Sequence, residues 1–393
     1  MKTTLENNTL TIFLEGRIDT NNAAQTEQEI FAAAGGSSAE IVVDAEKLEY
    51  ISSAGLRVLM KLRKQIKKPL PLVNVSRDVF DILETTGFTE LFDVRKALRE
   101  MSVEGCEVIG KGGYGTVYRI DKETILKVYN QASLDVIEGE RTMSQRAFVN
   151  GLPTAIPYDT VKVGDKFGVV YEMIDARTIA QIINADPSKL EEYTKQYAAA
   201  LKEFHSIEMD DELFEDKKKE LRATIDIITP YVTDEEIALM KDYLDSVPDK
   251  RVFIHGDYNL KNVMVKDGEL MLIDIGDAGV GHPIFDVASV WLFCKYTKKT
   301  PLPPEYIRML MGFDPELSDR VWEVFFDEYF GTSDPAVMAR TEDMIKPMAY
   351  FLVAHNGIRR IQDQTEEMMQ RRVEGIIRGL LLPAIKNAVP LNF

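Results

Sequence analysis

Apolar and polar residues alternate along residues 9–15, Thr-Leu-Thr-Ile-Phe-Leu-Glu, as they do on a strand with one buried face. Asn21 to Ala34 follows with helical spacing, with Asp19 or Thr20 as cap and Gly35-Gly36 as stop. Ala39–Asp44 reads as a buried strand. The stretch from Leu48 to Met60 predicts a turn into a helix that runs to Lys67, with Pro69 beyond it. Leu70–Val75 predicts a strand, Asp78–Thr86 a helix and Leu91–Val94 a short strand. Strands alternating with helices predict a small α/β layer over about the first hundred residues. Residues 96–104 then form a short junction with no Pro-, Gly- or Ser-rich linker.

Beyond the junction the pattern changes. Thr116–Ile120 and Thr124–Tyr129 are strand-like, Glu140–Asn150 is helical, and Phe167–Ile174 is again a strand. Leu190–Ser206 predicts a helix. Residues 207–250 are helical and charged, broken at Pro230, and residues 303–390 are helical with aromatic and Met residues at core spacing. Between these lie three short apolar runs, Val252–Ile254, Val263–Val265 and Leu270–Ile273. The last two flank Lys266-Asp-Gly-Glu269, a hairpin turn signal.

That hairpin organises the candidate chemistry. It sets the loop His255–Asn262 before one strand and Asp274 at the end of the next, so Asp257, Asn262 and Asp274 can converge. One carboxylate to handle a hydroxyl proton and two oxygen ligands for Mg²⁺ are what phosphoryl transfer requires. Upstream, Gly110, Gly112 and Gly115 fit G-x-G-x-x-G and are followed by a strand, which disfavours a dinucleotide turn and favours a lid over phosphates. Lys127 follows twelve residues after Gly115, within reach of α- and β-phosphates, and Glu140 or Glu138 is placed to pair with it.

Taken in this order, the motifs resemble the aminoglycoside phosphotransferase and choline kinase-like branch of the protein-kinase fold, over about residues 101–393. His255-Gly-Asp-x-x-x-x-Asn262 matches its catalytic loop, Ile273-Asp-Ile-Gly276 its metal segment, and Gly281-His-Pro-Ile-Phe-Asp-Val-Ala288 a following segment in which His282 replaces the usual Asp. The resemblance implies ATP and Mg²⁺ as cofactors and Asp257 as the base or orienter for the acceptor. It implies Asn262 and Asp274 as metal ligands, Lys127 with Glu140 on ATP, the backbone of Glu172 to Ile174 on adenine, and Asp286 as a brace. The small lobe would cover about 101–175 and the large lobe about 176–393. His205 reads as packed or capping, and residues 207–250 as an insertion beside the acceptor cleft. Asn259 stands where Ser/Thr protein kinases carry Lys, which points to a small-molecule hydroxyl as acceptor.

The first hundred residues carry a second resemblance. Asp44-x-x-x-Leu48-x-Tyr-Ile-Ser-Ser-Ala-Gly55 is similar to the signature of STAS domains, the anti-sigma factor antagonist fold. The family's phosphorylated serine aligns with Ser53, at a helix start where backbone N–H groups and the helix dipole favour a phosphate. Ser52 or Ser53 as a plain N-cap is the competing reading.

Composition narrows the classes. The 393 residues leave room for two or three domains, and 45% hydrophobic content is ordinary for a globular chain. No apolar run is long enough to cross a bilayer, and the start lacks a signal-peptide core, so neither a membrane nor secretion is expected. Two cysteines, Cys106 and Cys294, make no disulfide framework and fit a cytoplasmic setting; with four histidines they give no zinc spacing. Residues 1–100 hold 13 basic and 15 acidic residues, and the rest hold 34 and 49, so nearly all of the net charge of −17 lies in the second part. Such acidity argues against nucleic-acid binding. It suits a cationic acceptor, though acidity for solubility is the plainer reading.

The expectation is therefore an α/β STAS domain (1–100) fused to an α+β two-lobed kinase-like domain (101–393). The activity expected is phosphoryl transfer from ATP to a small-molecule hydroxyl, with an anti-sigma-type partner for the STAS domain. A protein serine kinase, or a nucleotide-binding scaffold in a partner switch, remains open as the alternative.

Overall fold

A computed structural model describes residues 1–6, 8–35, 39–67, 70–112, 115–209, 214–359 and 365–393. They divide into two compact units, Met1–Ser102 with Val161–Asp165, and Val103–Thr160 with Lys166–Phe393.

The first unit is built on five strands in the order β1-β2-β3-β4-β5: β1 (Lys2–Glu6), β2 (Thr9–Ile18), β3 (Glu40–Ile51), β4 (Pro71–Val75) and β5 (Asp93–Lys96). β1 and β2 form an antiparallel hairpin, and the other pairs are parallel. Helices α1 (Ala23–Ala34), α2 (Ser53–Ile66) and α3 (Arg77–Thr85) link the parallel strands. Leu10, Ile12 and Leu14 alternate into the core and meet Val43, Leu56, Leu59, Leu62, Val79 and Leu83.

Three features depart from the sequence expectation. β1 shows no buried alternation, so its pattern carries no strand signal. β3 runs on to Ile51 instead of turning at Leu48, because Leu48 and Ile51 both enter the core after a register shift opposite Glu15 to Arg17. α1 starts at Ala23: Asp19 does not cap it, since its carboxylate accepts the Asn21 N–H at 2.7 Å and closes a turn before the helix. Of the expected stop signals, Gly36 and Pro69 lie outside the described residues. Gly55 is dictated by packing, because a Cβ there would stand 2.7 Å from the side chains of Ile18 and Ile51. The first turn of α2 is thereby pressed onto the strand ends. A two-residue strand, β6 (Arg99–Glu100), follows β5.

Further along the chain, β7 (Glu107–Lys111), β8 (Gly115–Arg119), β9 (Thr124–Tyr129), β10 (Pro157–Val163) and β11 (Lys166–Glu172) run in the order β10-β11-β9-β8-β7, with β9 between β11 and β8. Helix α4 spans Leu134–Val149, not Glu140–Asn150 as expected. The Ser133 hydroxyl caps it by accepting the Val136 N–H, which starts the helix earlier and puts Glu140 inside it.

The larger part begins with β12 (Arg177–Thr178), α5 (Ile179–Ala185) and α6 (Leu190–Phe204). The charged segment resolves into α7 (Lys217–Ile228) and α8 (Asp234–Ser246), with Pro230 in the turn between them. Next come β13 (Val252–Ile254), β14 (Val263–Lys266), β15 (Glu269–Leu272), β16 (Gly279–Gly281) and α9 (Ile284–Trp291). Asp267 and Gly268 both have positive φ, 52° and 87°, the geometry of a tight hairpin turn between β14 and β15. α10 (Pro304–Met311), α11 (Ser318–Phe330) and α12 (Pro335–Arg359) enclose an aromatic core of Tyr197, Trp322, Phe325 and Tyr329. Cys294 is buried within it. Among the described residues no helix is long and apolar enough to cross a membrane.

Candidate active site

The loop His255–Asn262 leaves β13 and returns through β14, and its backbone is fixed from below by α9. Asp286, wholly buried, accepts the N–H of His255 and that of Gly256 on its two carboxylate oxygens, each at 2.8 Å. Burial by itself would raise this carboxyl's pKa. The hydrogen bond and charge of His205, with His255, outweigh it and hold the group below the ordinary value. His205 in turn lies 2.6 Å from the Tyr329 hydroxyl, so it is packed and bonded as expected. Gly256 has φ +84°, and a Cβ there would stand 2.1 Å from the Asp277 carbonyl oxygen, so only glycine fits.

His255 ties the two ends of the motif together. Its Nδ1 accepts the Asp257 N–H at 3.3 Å, and its Nε2 lies 3.2 Å from the Ile273 carbonyl, one residue before Asp274. Tyr258 and Tyr197 of α6 stack at 4.3 Å and exchange hydroxyl-to-carbonyl hydrogen bonds of 3.0 and 2.9 Å. Asn259 serves the loop itself: it donates to the Asp257 carbonyl and accepts the Lys261 N–H.

On this frame the polar side chains meet. The Asn262 Nδ2 donates to the Asp257 carbonyl at 2.9 Å and to its carboxylate at 3.1 Å, which leaves the amide oxygen of Asn262 facing away from Asp257. The Ile273 N–H donates to the Asn262 carbonyl at 2.9 Å and brings Asp274 alongside. Asp274 has φ +58°, a left-handed conformation that costs about 1 kcal/mol outside glycine. The Lys127 ammonium, on β9, lies 2.7 Å from Glu140 and 2.7 Å from Asp274. Burial opposes its charge, but Asp274 first and Glu140 next more than compensate and hold its pKa far above the ordinary value. Glu138 pairs instead with Arg141 at 2.9 Å, so of the two candidates Glu140 is the one at Lys127. Burial and the Glu140 charge push the neighbouring Tyr171 phenol up to about 12.

The glycine hairpin closes with the Gly112 N–H on the Gly115 carbonyl at 2.9 Å; Gly113 and Tyr114 lie outside the described residues. Gly115 is needed for close packing, since a Cβ would be 2.4 Å from the Val128 carbonyl, whereas Gly112 faces open space and Gly110 sits against Val117. At the end of β11, the N–H groups of Glu172 and Met173 donate to Ile156 and Glu123. Among the described residues Ile174 N–H has no such partner, while its carbonyl accepts from Ala176. In the first unit, Ser52 is the N-cap of α2, accepting the Gly55 N–H at 3.4 Å, and Ser53 is the exposed first residue of the helix.

The sequence reading did not foresee the Tyr197–Tyr258 exchange or the contact of His205 with Asp286, which spans 81 residues. It also did not foresee Lys261, whose ammonium donates to the Leu310 carbonyl and loses basicity to burial despite the nearby charges of Asp257 and Asp274. Only the Tyr258 position, one residue past Asp257, gave any local hint.

Comparison with known proteins was made on this geometry. A family model described as "phosphotransferase enzyme family" matches residues 105–313, and one for the STAS domain matches residues 1–101. A Bordetella bronchiseptica protein named as an anti-sigma factor antagonist, BtrV, is 36% identical over 84 residues, 21% of this chain and 72% of its own. Among solved structures, ADP-bound aminoglycoside phosphotransferase APH(2'')-Ib is 17% identical, covering 71% of this chain and 94% of its own at a TM-score of 0.45. A choline/ethanolamine kinase family protein from Mesorhizobium loti is 14% identical, covering 72% and 92% at a TM-score of 0.44.

Proposed function

The chain belongs to the phosphotransferase enzyme family and carries an N-terminal STAS domain, and from this we propose that it moves the terminal phosphoryl group of ATP, with Mg²⁺, to a hydroxyl of a small molecule. The observation that carries the reading is the unbroken set of contacts Glu140–Lys127–Asp274 and Asp257–Asn262, joined through the Ile273 N–H. Residues 101–393 form the catalytic domain in this reading and residues 1–100 the regulatory one, in the cytoplasm.

The donor set fits Mg²⁺. Asp274 offers a carboxylate and Asn262 an amide oxygen, both hard ligands, and among the described residues no group of three or more His, Cys, Asp or Glu forms a cage. A metal held by one or two protein oxygens plus phosphates is the habit of Mg²⁺. Bound there, Mg²⁺ would neutralise charge on the phosphates during transfer. Lys127, held by Glu140, anchors the α- and β-phosphates. The Gly110–Gly115 hairpin covers them, with the open face of Gly112 leaving room. At the hinge Glu172 spends its N–H on Ile156, so Ile174 N–H is the donor for adenine. Asp257, oriented by Asn262 and His255, accepts the acceptor's hydroxyl proton. The net charge of −17 suits a cationic acceptor.

For the STAS domain we propose docking of an anti-sigma-type partner, with Ser53 as the modified residue. Its exposure and its place in the first helical turn support this.

Labelled ATP given to the wild type, Asp257→Ala and Ser53→Ala, each with a panel of hydroxylated small molecules, tests both parts. Transfer to a small molecule, reduced on the order of 10²-fold or more in Asp257→Ala, is the expected result. Near-stoichiometric label on Ser53 that both variants abolish would establish a self-modifying protein kinase instead.

A further inference from the structure

The segment read from sequence as an insertion reaches the metal loop. Glu215 accepts the Val280 N–H at 2.9 Å, so the residues leading into α7 extend the edge of β16. This turns Lys217, the first residue of α7, inward. Its side chain is 6% exposed, and its ammonium donates to the Asp277 carbonyl at 2.9 Å and to Glu220 at 2.7 Å. The lysine stem lies on two glycines of β16. A Cβ on Gly279 would stand 2.5 Å from its Cδ, and one on Gly281 would be 3.4 Å from its Cβ. Glu220 is itself 3.8 Å from His355 of α12, whose Nδ1 lies 2.7 Å from the Thr224 hydroxyl.

The Asp277 carbonyl is therefore held by two elements. Gly256 of the catalytic loop presses on it so closely that no side chain is tolerated, and the Lys217 ammonium donates to it. Three residues earlier in the same turn stands Asp274, in a left-handed conformation that surrounding contacts must impose. A buried ammonium keeps its hydrogen bonds because leaving either partner unmet is costly, so it acts as a fixed point.

We propose that Lys217 is a positioning residue of the phosphotransfer site: it pins the Asp274–Asp277 turn against Gly256 and so fixes Asp274 for Mg²⁺. This rests on the reading of Asp274 as a metal ligand. The effect of Lys217 runs through the Asp277 carbonyl.

The test measures binding of a non-hydrolysable ATP analogue to the full chain by calorimetry, with and without Mg²⁺. Lys217→Met keeps the stem and removes the ammonium, whereas Glu220→Gln keeps the bond to Asp277 and removes the ion pair. The expected result is that Lys217→Met loses tenfold or more of the Mg²⁺-dependent gain in affinity, while metal-free affinity stays within twofold. Glu220→Gln should keep that gain within twofold. An unchanged Mg²⁺ gain in Lys217→Met overturns the proposal. An equal loss in Glu220→Gln does so too, because the network would then be a general support. If Lys217→Met fails to fold, Lys217→Met/Glu220→Leu, which leaves no buried carboxylate unpaired, is read by the same criteria. A wild type with no Mg²⁺ gain refutes the metal reading itself, a result distinct from either of these.

Discussion

Replacing Asp286 by Asn isolates the support beneath the catalytic loop from the chemistry above it. The carboxylate accepts two backbone N–H groups at 2.8 Å in a fully buried site, with His205 3.3 Å away. Asparagine keeps one acceptor oxygen and turns its NH₂ toward the other N–H. One hydrogen bond to a charged group is lost, about 1.5–3 kcal/mol, and one buried N–H is left unmet, about 1–3 kcal/mol. The expected destabilisation is thus about 2.5–6 kcal/mol, which brackets the ~3–5 kcal/mol found when one member of a buried charged pair is removed. Urea unfolding followed by tryptophan fluorescence reads it cleanly, since both tryptophans, Trp291 and Trp322, lie in the second unit. In the folded fraction, a shift of Asp257 by about 1 Å should lower kcat on the order of 10²-fold. Metal-free nucleotide affinity should barely change, because Lys127, Glu140 and the glycine hairpin are untouched. A loss of stability under about 1 kcal/mol, with kcat unaltered, would show that Asp286 does not hold the loop.

Three further outcomes are expected. ATP with Mg²⁺ should raise the melting temperature of the wild type by mass action, and Asp274→Ala should erase the Mg²⁺-dependent part of that shift; an equal shift in both excludes Asp274 as a ligand. His282 is wholly buried, and burial first, then the Lys250 charge, lower its pKa from 6.5 to about 4. The unfolded chain therefore takes up that proton more readily. Stability should fall as pH drops from about 6.5 toward 4, and His282→Asn should flatten that part of a melting-temperature profile; parallel profiles would refute this. Gly55→Ala gains up to about 1 kcal/mol of helix propensity but drives a methyl to 2.7 Å from Ile18 and Ile51, so a net loss of about 1–2 kcal/mol in the first unit is expected by denaturation. A more stable variant would mean that the strand ends yield.

Much of this protein was legible along the chain. Period-two and helical spacing set out most elements of both units, the Asp-Gly turn announced the β14–β15 hairpin, and the glycines, Lys127, Asp257, Asn262 and Asp274 stood in an order that resembles the phosphotransferase motifs. These are local properties: backbone propensity, turn geometry and the residue types a reaction needs. What the sequence left open depended on partners distant in the chain. The choice of Glu140 over Glu138 depended on which side of α4 meets β9, which only the packed helix decides. β1 carries no apolar alternation, because an exposed edge strand needs a partner's backbone and not a core. The continuation of β3 to Ile51 depended on a register shift that only the neighbouring strand defines. The supports of the site, His205 under Asp286, Tyr197 against Tyr258 and Lys217 against Asp277, join residues about 60 to 80 positions apart. No spacing rule encodes such pairs, since each is chosen by which buried donor and acceptor the folded chain brings within hydrogen-bond distance, and that is decided by packing.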